Sequence, residues 1–434
     1  MEAVILAAGR GSRLQALSAC KPLTPLLGTT LLERNLRLAI SAGARRVIVV
    51  TGYRHEDIRQ WKNRLPLRIR KCVELVHNPH WSSTENGYSL AQAASHLSGR
   101  FLILMADHVY SLELLRTLVE CDPQDGAVLA VDRRLGRDGI DPQDATKVRL
   151  ECGRITALGK NLQRADAYDT GAFLCSTALL PMLDCLRQSA DTRLSGVMQT
   201  LADAGKLLVC DVGHAYWQDV DTPADLSAAR EGLLASLSGG KQADGPVSRY
   251  LNRPCSRWIS RRVADTGISP NMVSWLVFAL SSLAALLAAS ASWWLTYILA
   301  GVLIQLASVL DGCDGELARL RAQSSDYGGW LDAILDRYGD AALIAALTWQ
   351  AMNGDGPSAF WLGMAALAGS FMASYSAHKS DRLLKESLRI GRDLRMLVLA
   401  LGVALQQPAA ALWLLAIAMN LTVCVRVYKL RHVM

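Results

Sequence analysis

The sequence lacks both the cysteine spacing of a zinc site and the cysteine framework of a small secreted domain. Its ten cysteines are scattered along 434 residues, with Cys20 in a loop and Cys313 inside an acidic segment. This usage predicts reduced thiols in a cytosolic or membrane setting. A secretory signal peptide is also missing, because Met1 leads directly into AVILAAG, which has the pattern of a strand and turn. We therefore expect the first domain to stay in the cytosol.

Motifs for nucleic-acid binding are absent, although the formal net charge is +7. The positive charge clusters between apolar runs in the second half, which is typical of membrane topology. Long apolar runs are missing from the first half and dominate from about residue 270, and SLSGGKQADGP at 236–246 has the composition of a flexible linker. We predict a cytosolic domain at 1–235, a linker at 236–249 and a membrane domain at 250–434.

Short apolar runs alternate with amphipathic segments in the first domain. This alternation predicts an α/β fold with a mainly parallel sheet and helices on both faces. Ligands of such sheets bind beyond the carboxyl ends of the strands. The strand-like runs are Ala3–Leu6, Val47–Val50, Leu75–His77, Phe101–Met105 and Ala127–Val131, and Leu31–Ala42 is helix-like.

The first of these strand ends carries a glycine-rich turn, LAAGRGSRL, with KPL close behind it. Gly9 and Gly11 let the backbone pass close to a phosphate and offer N–H groups to it. Arg13 and Lys21 add positive charge for a triphosphate and its leaving pyrophosphate. The turn is not a P-loop, which needs GxxxxGK[ST], and the GxGxxG of a Rossmann domain is incomplete.

A strand followed by AAGxGxR and then KPL resembles the sugar-phosphate nucleotidyltransferase family. The resemblance implies a Rossmann-like domain with a mixed sheet, and direct attack of a substrate phosphate on the α-phosphorus of a nucleotide. Catalysis would come mainly from positioning and charge neutralisation, with Lys21 and Arg13 as catalytic residues. The residues of the turn that would contact the nucleotide are Leu6, Ala7, Ala8, Gly9 and Gly11.

Carboxylates follow two further apolar segments of the first domain. Asp107 comes just after the strand-like run that ends at Met105, where it could hold Mg²⁺ against phosphates or simply cap the strand. Asp219 and Asp221 lie in WQDVDTPADL. The family resemblance implies one metal ligand from each place, and the sequence leaves Asp219 and Asp221 open as the second. We expect Mg²⁺, with Mn²⁺ as a possible substitute.

Three segments resemble the inositol-phosphate cytidylyltransferases: STENGYSL at 83–90, MADHVYS at 105–111 and GKNLQRADAYDTGAF at 159–173. The resemblance implies CTP and inositol 1-phosphate as substrates. It places Glu85, Asn86 and Ser89 near the base or ribose, and Lys147, Lys160 and Asp169 in the pocket for the polyol phosphate. The two lysines could equally be solvated surface residues.

The second half begins with Tyr250–Val263, which has the pattern of an amphipathic helix on an anionic membrane surface. We predict an all-α membrane domain of six spans. Its basic loops alternate with loops that carry no Lys or Arg, so both termini are expected in the cytosol and the chain in the cytoplasmic membrane. The loop between spans four and five contributes Lys379, Arg382, Lys385, Arg389, Arg392 and Arg395. The spans are 271–289, 292–318, 329–352, 358–377, 394–406 and 408–427.

Carboxylates at the ends of apolar spans are costly and therefore indicate a function. Asp311 and Asp314 are three residues apart at the end of span two, and Asp332 and Asp336 are four apart at the start of span three. Each pair shares a helix face, so the four carboxylates should converge. Such a cluster repels itself without cations, and its oxygen-only ligands suit Mg²⁺, Mn²⁺ or Ca²⁺.

The same segment resembles the signature of the CDP-alcohol phosphotransferases, D-x2-D-G-x2-A-R-x8-G-x3-D-x3-D. The resemblance implies that Asp311, Asp314 and Asp332 bind metal and that Asp336 binds metal or acts as general base. The acceptor hydroxyl would attack the β-phosphorus of a CDP-alcohol and release CMP. The other signature residues, expected to contact the nucleotide, are Gly315, Ala318, Arg319 and Gly328.

Together the halves resemble the bifunctional inositol-phosphate cytidylyltransferase/di-inositol-phosphate phosphate synthases. The resemblance implies that the first domain makes CDP-inositol and that the second transfers phosphoinositol to an inositol phosphate, in a homodimer formed by the membrane domain. Two alternatives keep the enzyme classes but change the substrates: a phospholipid made on diacylglycerol, or another alcohol phosphate as donor. A third is a non-catalytic scaffold or transporter, against which the intact Lys21, Asp107 and Asp219 argue.

Overall fold

The computed structural model describes residues 1–14, 17–137, 139–151, 153–186, 191–237, 245–380 and 390–431. These residues form two compact units, Met1–Leu234 and Ala235–Met434. Half of the linker expected at 236–249 lies outside the described residues, as do the loop charges at 381–389.

The first unit contains the predicted alternation of strands and helices. Its strands are β1 (Glu2–Ala7), β2 (Pro25–Leu26), β3 (Thr29–Thr30), β4 (Arg46–Thr51), β5 (Val73–His77), β6 (Phe101–Met105), β7 (His108–Tyr110), β8 (Ala127–Asp132), β9 (Lys147–Glu151), β10 (Arg154–Gly159), β11 (Ala167–Cys175), β12 (Leu207–Asp211) and β13 (Trp217–Asp219). Its helices are α1 (Leu31–Ser41), α2 (His55–Arg64), α3 (Leu67–Arg70), α4 (Asn86–Ala93), α5 (Leu112–Glu120), α6 (Leu180–Leu186), α7 (Leu194–Asp203) and α8 (Pro223–Ser236).

The main sheet has nine strands among the described residues, in the order β5-β4-β1-β6-β11-β8-β12-β10-β9. Strands β5, β4, β1 and β6 pair in parallel. Strand β11 is antiparallel to both of its sheet neighbours, β6 and β8, and β9 and β10 pair antiparallel at the far edge. The mixed sheet is thus confirmed, and it is mainly parallel as predicted, since only β10 and β11 among the nine described strands run in the opposite direction. Closely spaced strands such as β9 and β10 can pair antiparallel through a short turn, and parallel pairing needs a long crossover.

Both faces of this sheet are covered. Val4 and Leu6 of β1 belong to one core cluster with Leu90 of α4 and Met198 of α7. Ile5, which points to the opposite face because side chains alternate along a strand, is also fully buried. The strands of a sheet buried on both faces are apolar throughout, which is why they were recognisable in the sequence.

The second unit is helical. A π-helical turn at Ser248–Asn252 leads into α9 (Arg253–Val263) and the longer helices. The predicted amphipathic segment is helical, and Tyr250, Leu251 and Trp258 on it are exposed. The remaining helices are α10 (Pro270–Ser290), α11 (Trp294–Leu320), α12 (Asp326–Asp355), α13 (Ala359–Ser380), α14 (Arg392–Ala404) and α15 (Pro408–Arg431).

Three helices in the described part of the chain, α10, α11 and α15, are long and apolar enough to cross a membrane. All six predicted spans fall on helices, but the count of six spans is not confirmed. Helix α14 has 13 residues, fewer than the ~20 that a span requires. Helix α12 carries the carboxylates Asp326, Asp332 and Asp336 in its first turns, which lowers its apolar character. Association with a membrane follows from the three long apolar helices.

Arg321 holds the end of α11 against the segment that leads into α10. It is 2% exposed. Its guanidinium donates to the carbonyl oxygens of Ala264 at 3.0 Å and Thr266 at 2.7 Å, and also to those of Val263 and Ile268. Ala264, Thr266 and Ile268 lie beyond the end of α9, so Arg321 supplies donors to main-chain acceptors outside the helix.

We expect Arg321→Met to destabilise the second unit. Each carbonyl left without its donor costs about 1–3 kcal/mol, and methionine keeps the apolar bulk. The measurement is thermal unfolding in detergent followed by circular dichroism, where the melting temperature should fall by several degrees. The exposed Arg261 supplies the matched control, Arg261→Met. Equal melting temperatures for the two variants would contradict the assigned role of Arg321.

Candidate active sites

The glycine-rich turn after β1 is fitted to the side chain of Lys21. Gly11 has φ +58°, a left-handed conformation that favours glycine. A Cβ at Gly11 would lie 2.4 Å from Cδ of Lys21, so the turn also needs glycine to let the lysine stem pass. Arg13 follows in a short 3₁₀ turn at Ser12–Leu14. The turn therefore delivers two cations to the carboxyl end of the sheet.

Lys21 bridges two carboxylates at this edge. Its Nζ donates to Oδ2 of Asp107 at 2.6 Å and also to Asp221. Arg13 contacts the other oxygen of Asp221 at 3.0 Å. Burial opposes the positive charge of Lys21, but the two carboxylates outweigh burial and raise its pKa. Lys21 is thus a fixed cation at neutral pH.

Asp107, His108 and Asp219 form a second group of converging atoms, with one ligand atom from each lying within 4.8 Å of the others. Nδ1 of His108 is 3.0 Å from Oδ1 of Asp107 and 3.5 Å from Oδ1 of Asp219. Burial raises the pKa of Asp219 to about 6, helped by its carboxylate neighbours and opposed by His108. Burial lowers the pKa of His108, but the two carboxylates outweigh it and raise that pKa to about 9. The point on which Asp107, His108 and Asp219 converge therefore favours a positive charge.

These residues fit a divalent ion. Oδ1 of Asp219 is shielded from solvent and accepts no hydrogen bond from the described residues. Oδ1 of Asp107 faces the same point, while its Oδ2 is taken by Lys21. Two carboxylate oxygens facing one point are a common ligand set for Mg²⁺ or Mn²⁺. Asp221, the other candidate, is held by Lys21 and Arg13 instead.

A cavity of about 440 Å³ opens beside this group. Glu85, Asn86, Lys160 and Asp169 line it, together with Asp219. Five of the residues predicted from the sequence are therefore brought to one cavity from distant parts of the chain.

Asp169 is the buried acid of this cavity. It lies beside a bulge in β11 and accepts a hydrogen bond from the N–H of Gly171 at 2.7 Å. Burial raises its pKa to about 6, against the effect of that hydrogen bond.

Two of the predicted residues lie away from the lining of this cavity. Ser89 is buried in α4, where its hydroxyl accepts a hydrogen bond from Nδ2 of Asn78 at 3.0 Å. Nζ of Lys147 donates to the main-chain oxygen of Lys160 at 3.2 Å.

Sequence reasoning missed Asp144 and His108. Asp144 accepts from Arg13 at 3.0 Å and from Lys160 at 2.5 Å, so one carboxylate links the glycine-rich turn to the cavity. Nothing in its local sequence marks it. His108 could have been found, because it directly follows Asp107 and precedes a strand.

The acidic motif of the second unit lies where α11 ends and α12 begins. Oxygen atoms of Asp311, Asp332 and Asp336 lie within 4.8 Å of one another. Three carboxylates and no nitrogen or sulfur ligand make an oxygen site that fits Mg²⁺, Mn²⁺ or Ca²⁺. Asp314 lies one turn further along α11, where it accepts a hydrogen bond from Oγ of Ser274 at 2.6 Å. Three of the four carboxylates thus meet at one point, and the fourth, Asp314, lies within hydrogen-bond distance of Asp332.

A cavity of about 180 Å³ adjoins the motif. It is lined by Gly315, Ala318, Arg319 and Gly328, the four signature residues expected to contact the nucleotide. Glycine at position 315 leaves room for the guanidinium of Arg319. A Cβ at this position would lie only 3.3 Å from that guanidinium.

Arg392 is an unpredicted partner of the acidic motif. Its Nη1 is 2.6 Å from Asp311 and 2.7 Å from Asp336, and its Nε is 3.1 Å from Asp340. Arg395 contacts the second oxygen of Asp340 at 3.2 Å. Both arginines were interpreted as loop charges, which is wrong: they lie in the first turn of α14, where Arg395 is buried and Arg392 is 11% exposed, and acidic partners on other helices neutralise them.

Two family descriptions match successive parts of the chain. The description "MobA-like NTP transferase domain" matches residues 3–206, and "CDP-alcohol phosphatidyltransferase" matches residues 268–425. A solved structure of the inositol-1-phosphate CTP transferase from T. maritima covers 53% of this chain and 96% of its own, with 26% identity and a TM-score of 0.47.

Relatives with both parts match nearly the whole chain. The bifunctional IPC transferase and DIPP synthase of Rubrobacter xylanophilus is 41% identical over 423 residues, which cover 94% of this chain and 92% of the relative. The protein of the same description from Aquifex aeolicus is 34% identical over 445 residues, with 98% and 97% covered. The chain, a nucleotidyltransferase joined to a CDP-alcohol phosphotransferase, therefore belongs to the family of bifunctional IPC transferases and DIPP synthases.

Proposed function

We propose that this chain makes CDP-inositol from CTP and inositol 1-phosphate, releasing pyrophosphate, and then transfers phosphoinositol to an inositol phosphate, releasing CMP. The observation that carries the proposal is the 41% identity to a bifunctional IPC transferase and DIPP synthase across both units. Each unit also has its own converging group of carboxylates beside its own cavity.

In the first reaction Lys21 and Arg13 are the catalytic cations. They lie at the glycine-rich turn and would neutralise the phosphates of CTP as the phosphate of inositol 1-phosphate attacks. Asp221 orients both cations through its two oxygens. Asp107 and Asp219 would hold Mg²⁺, which supplies further positive charge to the phosphates.

The 440 Å³ cavity is the proposed site for the polyol phosphate. Lys160 would contact the phosphate, and Asp169 would accept hydrogen bonds from hydroxyl groups. Glu85 and Asn86 line the same cavity and are proposed to contact the nucleotide.

In the second reaction Asp311, Asp314 and Asp332 would hold one or two divalent ions, which would supply positive charge to the pyrophosphate of CDP-inositol. Asp336 is the proposed general base for the acceptor hydroxyl, or a further ligand. The cavity with Gly315, Ala318, Arg319 and Gly328 would receive the cytidine diphosphate part. We further propose that the first unit and both termini lie on the cytosolic side and that the chain is a homodimer.

Product analysis tests the two reactions together. Full-length protein with labelled CTP, inositol 1-phosphate and Mg²⁺ should release pyrophosphate, form CDP-inositol and then release CMP without any lipid. If pyrophosphate were released only with a different alcohol phosphate and not with inositol 1-phosphate, inositol would be removed from the proposal. CMP release that requires diacylglycerol would make the second product a phospholipid.

A variant in one unit should abolish that unit's reaction and leave the reaction of the other unit intact. We expect Lys21→Met to lower CDP-inositol formation about 100-fold or more, because the phosphates lose a buried cation. The same variant should still release CMP from CDP-inositol supplied from outside. Asp336→Asn should show the reverse pattern. A loss of both activities in either variant, with an unchanged melting temperature, would speak against two independent sites.

Lys160 and Lys147 form a matched pair for the polyol-phosphate site. Lys160→Ala should raise the KM for inositol 1-phosphate about ten- to 100-fold, the value of a charge-assisted hydrogen bond, and leave the KM for CTP unchanged. Lys147→Ala should change neither constant, because Lys147 does not line the cavity within the described residues. Steady-state kinetics of pyrophosphate release measures both, and equal effects of the two variants would refute the assignment of Lys160.

A further inference from the structure

His108 is placed against the two proposed metal ligands by the local strand pairing. Strands β7 and β13 pair antiparallel with His108 directly opposite Asp219, and Asp107 immediately precedes His108. All three side chains therefore come from one two-stranded ribbon. A ribbon with this register fixes the separation of its opposed residues.

The orientation of the imidazole ring is also fixed. The rings of Tyr110 and Trp217 lie nearly parallel to it, with centroids 6.0 and 6.2 Å away. A Cβ at Gly171 would lie 3.0 Å from Nε2. The side chain is 14% exposed. Nδ1 is thus the ring atom that points at the two carboxylates.

The distances match those between neighbouring ligands of one ion. Two ligands at adjacent positions of an octahedral ion with bonds of about 2.1 Å lie about 3 Å apart. Nδ1 of His108 is 3.0 Å from Oδ1 of Asp107 and 3.5 Å from Oδ1 of Asp219. Lys21 uses only Oδ2 of Asp107, so Oδ1 can face an ion at the same time.

We propose that Nδ1 of His108 is the third protein ligand, beside Asp107 and Asp219, of the divalent ion in the nucleotidyltransferase unit. This rests on the proposed function in placing the ion at that site. An imidazole nitrogen favours transition metals such as Mn²⁺ and Co²⁺ over Mg²⁺. The carboxylate cluster of the second unit, Asp311, Asp332 and Asp336, has no histidine within the described residues. The two reactions of one chain should therefore differ in their preference among metals.

Pulsed electron paramagnetic resonance of the full-length protein loaded with Mn²⁺ tests this directly. Directly bound imidazole nitrogen gives a ¹⁴N coupling to Mn²⁺, and an all-oxygen site does not. We expect the coupling in the unmodified protein and its loss in His108→Gln. The matched control is His214→Gln, since His214 is exposed and should leave the coupling unchanged.

Labelling the histidines with ¹⁵N keeps the test decisive if His108→Gln fails to fold. The ¹⁴N signal of the unmodified protein should then be replaced by a ¹⁵N signal. Bound Mn²⁺ without nitrogen coupling, or a coupling that survives in folded His108→Gln, would overturn the proposal.

The metal dependence of pyrophosphate release gives a second readout. In His108→Gln the Mn²⁺ concentration for half-maximal rate should rise about ten-fold or more, and the advantage of Mn²⁺ over Mg²⁺ should shrink. CMP release from added CDP-inositol should keep its metal dependence. An unchanged dependence of pyrophosphate release would contradict ligation by His108. Failure to form CDP-inositol while the nitrogen coupling persists would instead refute the proposed function and leave the ligand assignment standing.

Discussion

Carboxylates that share a small volume repel one another, and both units of this chain are organised around cations that prevent this. In the first unit Nζ of Lys21 joins Asp107 and Asp221, which are 86 and 200 residues away in the sequence. In the second unit Arg392 joins Asp311 to Asp336 from a separate helix. An uncompensated carboxylate in either place would be expensive to bury. The sheet positions Lys21 against its carboxylates, and the helix bundle positions Arg392 against its own.

In the first unit, neighbouring cations decide which buried aspartate is held in its ionised form. Burial acts against ionisation of Asp107, yet Lys21 and His108 outweigh it and lower its pKa. At Asp169 burial outweighs the hydrogen bond from Gly171 and the charge of His108, and raises the pKa to about 6. Two aspartates of the same unit thus differ in pKa because their neighbours differ.

The sequence predicted what depends on local pattern and spacing. The buried strand β1, the turn after it and the i, i+3 and i, i+4 spacing of the acidic motif were all readable, because each is encoded within about 25 residues. The antiparallel insertion of β11 was not readable, since strand order depends on pairing between distant segments. For the same reason Asp144 escaped notice, and Arg392 was interpreted as a loop charge: its role depends on acids that are 52–81 residues distant. The count of six membrane spans rested on apolar runs and on the alternation of loop charges, and α12 and α14 do not confirm it.

The contact between Gly11 and the stem of Lys21 makes the turn and the lysine a single steric unit. Any side chain at position 11 would have to displace the methylene groups of Lys21, because a Cβ there would lie 2.4–2.9 Å from three of its carbons. Displacing the stem would withdraw Nζ from Asp107 and Asp221. A substitution of Gly11 would thus alter the ionisation of Asp107 and Asp221, which it does not contact. Its effect on the site would resemble that of removing Lys21.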